Sequence, residues 1–124
     1  MASEYNEDLI KNGRVVVKQG NVAILDIPDN SNELATAFET IYFWPGLETC
    51  FKEVGRILKP GGSFMVVNES DGTDKTSLKF EKMIDGMKCY TVEQISEALK
   101  AAGFSKIVAD HHDSKPWITV IGIK

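Results

Sequence analysis

The chain contains no glycine-x-glycine pattern, no run of like charge, no long apolar run and only two cysteines in its 124 residues. Each absence excludes something. With a formal net charge of -4 and scattered lysines, no cationic surface can displace the counterions of a phosphate backbone, so nucleic acid is not expected as a partner. No segment approaches the ~20 apolar residues of a transmembrane helix, and no membrane partner is expected. The start, Met1-Ala2-Ser3-Glu4-Tyr5, is acidic and lacks the cationic and apolar regions of a secretory signal, which points to the cytoplasm. Cys50 and Cys89 have no metal-like spacing, and a chain with a full apolar complement needs no disulfide staple, so both are expected as buried thiols.

What is present is an ordinary globular composition, 43% hydrophobic and 26% charged, in a length that fits one domain over 1–124. A polar helix is expected over 4–12, with Gly13 as its stop, and a β-branched strand over 14–18. A turn-rich loop over 19–32 ends in Pro28-Asp29-Asn30-Ser31-Asn32. A strand over 34–38 leads to the aromatic stretch Tyr42-Phe43-Trp44. From Leu47, apolar residues recur at Cys50, Phe51, Val54, Ile57 and Leu58, one face of a helix whose other face carries Glu48, Lys52, Glu53 and Arg56. Pro60-Gly61-Gly62 is expected to stop that helix.

Phe64-Met65-Val66-Val67 is a continuous apolar run, the pattern of a central parallel strand. Phe80, Met83, Ile84 and Met87 lie at helical spacing over 75–87, where a core stripe is the commoner meaning and a flexible cap over a substrate the alternative. Thr91 and Gln94 form a capping box for a helix ending at Gly103. Strands over 106–110 and 117–123 are close enough for an antiparallel hairpin. His111 and His112 are neighbours on a strand end, point to opposite faces and have no third ligand, so no metal site is expected. Alternating strands and helices make the class α/β, with a mostly parallel sheet, an antiparallel last strand and helices on both faces.

Glu53-Val54-Gly55-Arg56-Ile57-Leu58-Lys59-Pro60-Gly61-Gly62, followed by an apolar strand, resembles the segment after the fourth strand of class I S-adenosylmethionine-dependent methyltransferases. It is most similar to the branch that includes the ubiquinone and menaquinone C-methylases. Gln19-Gly20-Asn21-Val22 with Pro28-Asp29-Asn30-Ser31 resembles the loop after the third strand. Ala37-Phe38-Glu39 resembles the end of the fourth, Ala101-Ala102-Gly103-Phe104 the turn before the sixth, and the closing hairpin the antiparallel seventh strand. The resemblance implies a Rossmann-like sheet and S-adenosylmethionine as cofactor, with Asn21, Val22, Ala37 and Phe38 at the positions that touch it. Asn21 and Val22 stand where the family often has Asp and Ala. The family's glycine-rich turn and first two strands find no counterpart, so a truncated, carboxyl-terminal part of the fold is expected.

Open α/β sheets bind ligands at the carboxyl ends of their strands. This places Tyr42, Phe43, Trp44 and Asn68 around a small-molecule acceptor, with Glu39 or Glu69 as proton acceptor. The alternative is that the aromatics pack a helix onto the sheet and both glutamates are solvated strand ends. Two functions follow. One is methyl transfer to a small molecule, with the cofactor segment supplied by a partner or by a missing segment. The other is a non-catalytic binding or oligomerisation module. Without the first two strands an apolar sheet edge is exposed, and a homodimer through that edge is expected.

Overall fold

A computed structural model describes residues 22–124. The helix expected over 4–12, the strand over 14–18 and Asn21 lie outside them. The described elements are β1 (Asn32–Phe38), a 3-10 turn (Ile41–Phe43), α1 (Leu47–Ile57), β2 (Leu58–Asn68), α2 (Lys75–Met83), α3 (Val92–Ala101), β3 (Lys106–His111) and β4 (Ile118–Ile123). The sheet order is β1-β2-β4-β3. β1 and β2 pair in parallel, because the α1 crossover returns the chain to the same end of the sheet; β4 runs antiparallel to both β2 and β3. The last strand is thus the reversed one, as the order of elements and the short 111–117 connection require.

Strict alternation along β2 and β4 divides the sheet into two faces. Phe64, Val66, Ile118 and Val120 are buried beneath α1, which contributes Leu47, Cys50, Phe51, Val54 and Ile57, and α3, which contributes Ile95 and Leu99. Phe64 is the contact point of this core. Its ring meets Phe51 of α1 at 5.3 Å between centroids, Trp44 at 6.2 Å and Phe104 at 6.2 Å. Gly122 is required beside it, since a Cβ there would lie 3.0 Å from the Phe104 ring and 3.2 Å from Leu99. On the other face Leu34 and Phe38 of β1 and Val108 of β3 are exposed.

α3 keeps both ends expected of it: Thr91 and Gln94 form the reciprocal capping box, and Gly103 supplies the left-handed cap at φ 99°. α1 ends differently from expectation. It stops at Ile57 and β2 begins at Leu58, so Pro60-Gly61-Gly62 lies inside the strand, where the register with β1 shifts between Asn32 and Leu34. Pro60 has no N–H for the ladder and Gly61 takes φ 82°, so this segment makes a bulge. A Cβ on Gly62 would lie 2.8 Å from the Lys59 carbonyl oxygen. The helix is stopped by Leu58 turning to extended backbone, not by the proline.

Arg56 and Glu53, expected on the solvent side of α1, instead fasten the preceding loop. The Arg56 guanidinium donates to both Glu53 carboxylate oxygens, to Asp29 Oδ1 and to the carbonyls of Leu25 and Ile27 at 2.6–3.1 Å. Glu53 Oε2 in turn accepts the Leu25 N–H. The rigid fork of arginine suits this arrangement, since it can donate in several directions in one plane.

The stripe on α2 is a further correction. α2 has no buried residue and ends at Met83, before Gly86, which takes φ 81°. Phe80, Met83 and Ile84 are 45%, 67% and 42% exposed. They form no part of the core, because α1 and α3 already fill the covered face of the sheet.

Replacing Phe64 with alanine is expected to cost about 3–5 kcal/mol, read from urea unfolding, because every layer of the core loses a partner. Arg56→Gln is expected to leave the global unfolding cooperative while the Leu25 amide loses its protection against hydrogen exchange.

Candidate functional site

The carboxyl ends of β1 and β2 are tied together by one residue. Glu39, directly after β1, takes φ 56°, and its N–H donates to the Val67 carbonyl at 2.8 Å, extending the parallel ladder by one rung. Its Oε1 accepts the Tyr42 hydroxyl at 2.9 Å and also the Glu69 backbone N–H. Tyr42 is buried at 6% exposure, and burial, followed by the Glu39 carboxylate, pushes its hydroxyl well above the usual tyrosine range. A phenol so held stays neutral and remains a donor to Glu39. The carboxylate is already engaged from two sides, so the residue expected as a proton acceptor also acts as a clamp between two strand ends.

Around this clamp the sequence-expected residues separate into two groups. Trp44 stacks on Phe64 with 3° between ring planes and meets Phe51 edge-on, so with Tyr42 it belongs to the packed layer. Phe38 and Phe43 are 55% and 54% exposed, one just before the clamp and one just after it. Glu69 is exposed at the end of β2. Ala37 is buried at 3% and faces the core, while Val22 packs against the core from the loop.

Asn68 differs from all of these. It is completely buried opposite Ile118, and neither its Nδ2 nor its Oδ1 has a hydrogen-bond partner. An unpartnered buried amide costs about 1–3 kcal/mol. Among the described residues it is the one buried side chain whose polar atoms have no partner, which leaves them open to a bridging water or a ligand atom.

A second arrangement lies where the loop after β2, the start of α3 and the end of β3 meet. A cavity of about 330 Å³ is lined by Asp71, Thr73, Thr91, Glu93, Asp110 and His111. His111 Nε2 is 2.9 Å from Asp71 Oδ2, and its Nδ1 is 2.6 Å from the His112 carbonyl oxygen. Both ring nitrogens therefore face acceptors, an arrangement that favours the imidazolium. The Asp71 side chain raises the His111 pKa, while His111 and the Thr73 hydroxyl and amide hold Asp71 down to about 2. Sequence reading missed this pair because its members are 40 residues apart. The only signal was an acid in a turn-rich loop after one strand and a histidine at the end of another.

The topology defines a Rossmann-like α/β sheet closed by an antiparallel strand, with its engaged residues at the carboxyl ends. Comparison with known proteins gives the family: a model described as Methyltransferase domain matches residues 1–66, and the chain belongs to that family. S-adenosylmethionine is the cofactor this membership implies. A sterol 24-C-methyltransferase of Eremothecium gossypii is 29% identical over 126 residues, covering 91% of this chain and 34% of the relative. The chain thus spans about a third of the length of the curated relatives it matches. A S-adenosylmethionine-dependent methyltransferase of Thermotoga maritima superposes with a TM-score of 0.75 at 21% identity, covering 98% of this chain and 70% of the other. A Haemonchus contortus phosphoethanolamine N-methyltransferase, solved with S-adenosylhomocysteine, gives 0.68 at 15% identity over 83% and 36%. These two likenesses show the shared fold.

The described residues do not by themselves fit the cofactor. Ala37 turns into the core, and the left-handed position directly after β1 is held by Glu39, not by a glycine. Close approach of backbone to a nucleotide needs a glycine turn. They furnish a wall, through Phe38, and not a cradle.

The stabilisation from the Asp71–His111 pair has a definite pH window. His111 has its pKa raised on folding, so its contribution is complete below the unfolded value near 6.5 and is lost as pH rises through the folded value. Asp71 has its pKa lowered, so its contribution is complete above the unfolded value near 3.9 and is lost as pH falls towards about 2. Thermal midpoints should decline as pH rises above the unfolded histidine value near 6.5, and His111→Gln should flatten that limb.

Proposed function

We propose that this chain serves S-adenosylmethionine-dependent methyl transfer to an apolar small molecule of the sterol type, with the acceptor lying across the carboxyl end of β1. The observation that carries this reading is the pair of exposed rings, Phe38 and Phe43, on either side of the Glu39 clamp. Exposed aromatic rings flanking a strand end offer an apolar molecule a surface to lie on, and burying one such ring contributes about 1.5–3 kcal/mol. The sterol 24-C-methyltransferase names of the relatives favour the same acceptor class. In this reading the chain's own contribution is positioning: the clamp fixes the ends of β1 and β2, and the rings hold the acceptor in line.

Isothermal titration with S-adenosylmethionine and S-adenosylhomocysteine tests the cofactor half, with micromolar binding expected once the glycine-rich cofactor segment is supplied in trans and weaker binding by this chain alone. Absence of binding at millimolar ligand overturns it. Phe43→Ala should weaken binding of a sterol roughly tenfold or more while leaving cofactor affinity unchanged; a parallel loss of both would remove Phe43 from the acceptor surface.

A second reading, a binding or oligomerisation module, is favoured by the position of β1 as an outer strand of the described sheet. Its outward-facing backbone can pair with a second copy, giving a homodimer. Light scattering at micromolar concentration checks this: a dimer mass supports the module, and a monomer mass removes it.

A further inference from the structure

The segment between β2 and α3 is anchored by buried Ser70 and Cys89 and is largely exposed between them. α2 buries none of its residues. Ser77, Leu78 and Glu81 are half-buried and form its attached side, whereas Lys75, Thr76, Lys79, Phe80, Lys82 and Met83 are all exposed, as is Ile84 beyond its end. The attachment itself is polar and well made. Asp74 caps the helix through the Ser77 N–H at 3.0 Å and accepts the Ser70 hydroxyl at 2.6 Å, and Glu81 accepts the Cys89 N–H at 2.7 Å. Hydrogen bonds therefore hold the helix in place with its apolar side chains turned outward.

Two properties of the outward side point to the same kind of partner. Phe80, Met83 and Ile84 stand at i, i+3 and i+4, so they form one ridge. Lys75, Lys79 and Lys82 flank it, and the one acid within the helix, Glu81, is turned inward to the Cys89 amide. Asp85, exposed after the helix, is the only neighbouring acid on that side among 75–85. In a chain with a formal net charge of -4, this is a local reversal of sign around an apolar ridge. A water-facing helix gains nothing from such a ridge. Anionic lipid headgroups above an acyl boundary answer both features.

We propose that α2 is an interfacial helix that docks this protein on an anionic lipid surface, with Phe80, Met83 and Ile84 entering the acyl boundary and Lys75, Lys79 and Lys82 lying among the headgroups. This is peripheral contact and needs no spanning segment; no helix among the described residues is long and apolar enough to cross a membrane. The sequence by itself led to the opposite expectation, no membrane partner, because it offers no spanning segment and the same stripe reads as core until its exposure is known. Docking requires neither cofactor nor acceptor, so it stands or falls separately from the methyl-transfer reading.

Co-sedimentation of the full chain with vesicles of phosphatidylcholine, with and without phosphatidylglycerol, tests it in the absence of any methyl donor. Binding is expected to the anionic vesicles, to fall as salt is raised, and to be weak on phosphatidylcholine alone. Phe80→Ser with Met83→Ser should abolish it, and Lys79→Gln with Lys82→Gln should lower partitioning roughly twentyfold. Because none of these side chains is buried, circular dichroism and the thermal midpoint should be unchanged in both variants, and the lysine pair remains decisive should the apolar pair alter the fold. Equal binding to neutral and anionic vesicles, no binding to either, or full binding by either double variant overturns the proposal. So does an α2-dependent dimer that buries the ridge between two copies.

Discussion

The contact on which the rest of this molecule depends is Phe64 against Phe51, Trp44 and Phe104. It lies in β2, which pairs with both β1 and β4, and joins that strand to α1, to the turn before α1 and to the end of α3. Aromatic rings at 5.3–6.2 Å in stacked, tilted and edge-on pairs bury large area with defined geometry. One face of a sheet with two helices across it can therefore form a core in a chain of this size.

The strand β2 is fixed differently at its two ends. At its amino end the Arg56 fork draws the 25–29 loop onto α1, and the bulge at Pro60-Gly61-Gly62 adjusts the register with β1. At its carboxyl end the Glu39 carboxylate joins β1 to β2, and the Asp71–His111 pair joins the following loop to β3. Both carboxyl-end links are charged and lie near the surface, whereas the centre of the strand is held by apolar packing. Of these links the Asp71–His111 pair responds to pH, whereas the apolar scaffold does not.

How legible this was depended on the range of the interaction. α1, α3 and the closing hairpin were readable because helical spacing, a capping box and turn length are local properties of the chain. The fold family was readable from the segment around Arg56, although the role of Arg56 was not. A periodic pattern places it on the polar side of a helix, and it cannot show a loop of residues 25–29 lying there to accept three of its hydrogen bonds. The same limit applies to Glu39, whose engagement with Tyr42 is local but whose contact with Glu69 spans 30 residues. Phe80, Met83 and Ile84 show the reverse case: their spacing was read correctly and their environment was not, since periodicity defines a face without saying what it meets.

The sequence by itself determined the α/β class and the reversed last strand, because these follow from periodicity, caps and short connections, and it pointed to the methyltransferase domain family through the resemblance of the segment from Glu53 to Gly62. Only the tertiary structure decided which side chains are free. Tyr42 and Trp44 were drawn into packing while Phe38 and Phe43 were left in solvent; Asn68 was buried without a partner; and the stripe on α2 was turned outward. The reason is physical: α1 and α3 fill the covered face of the sheet, and an apolar residue arriving after that face is full has nowhere to go but the surface.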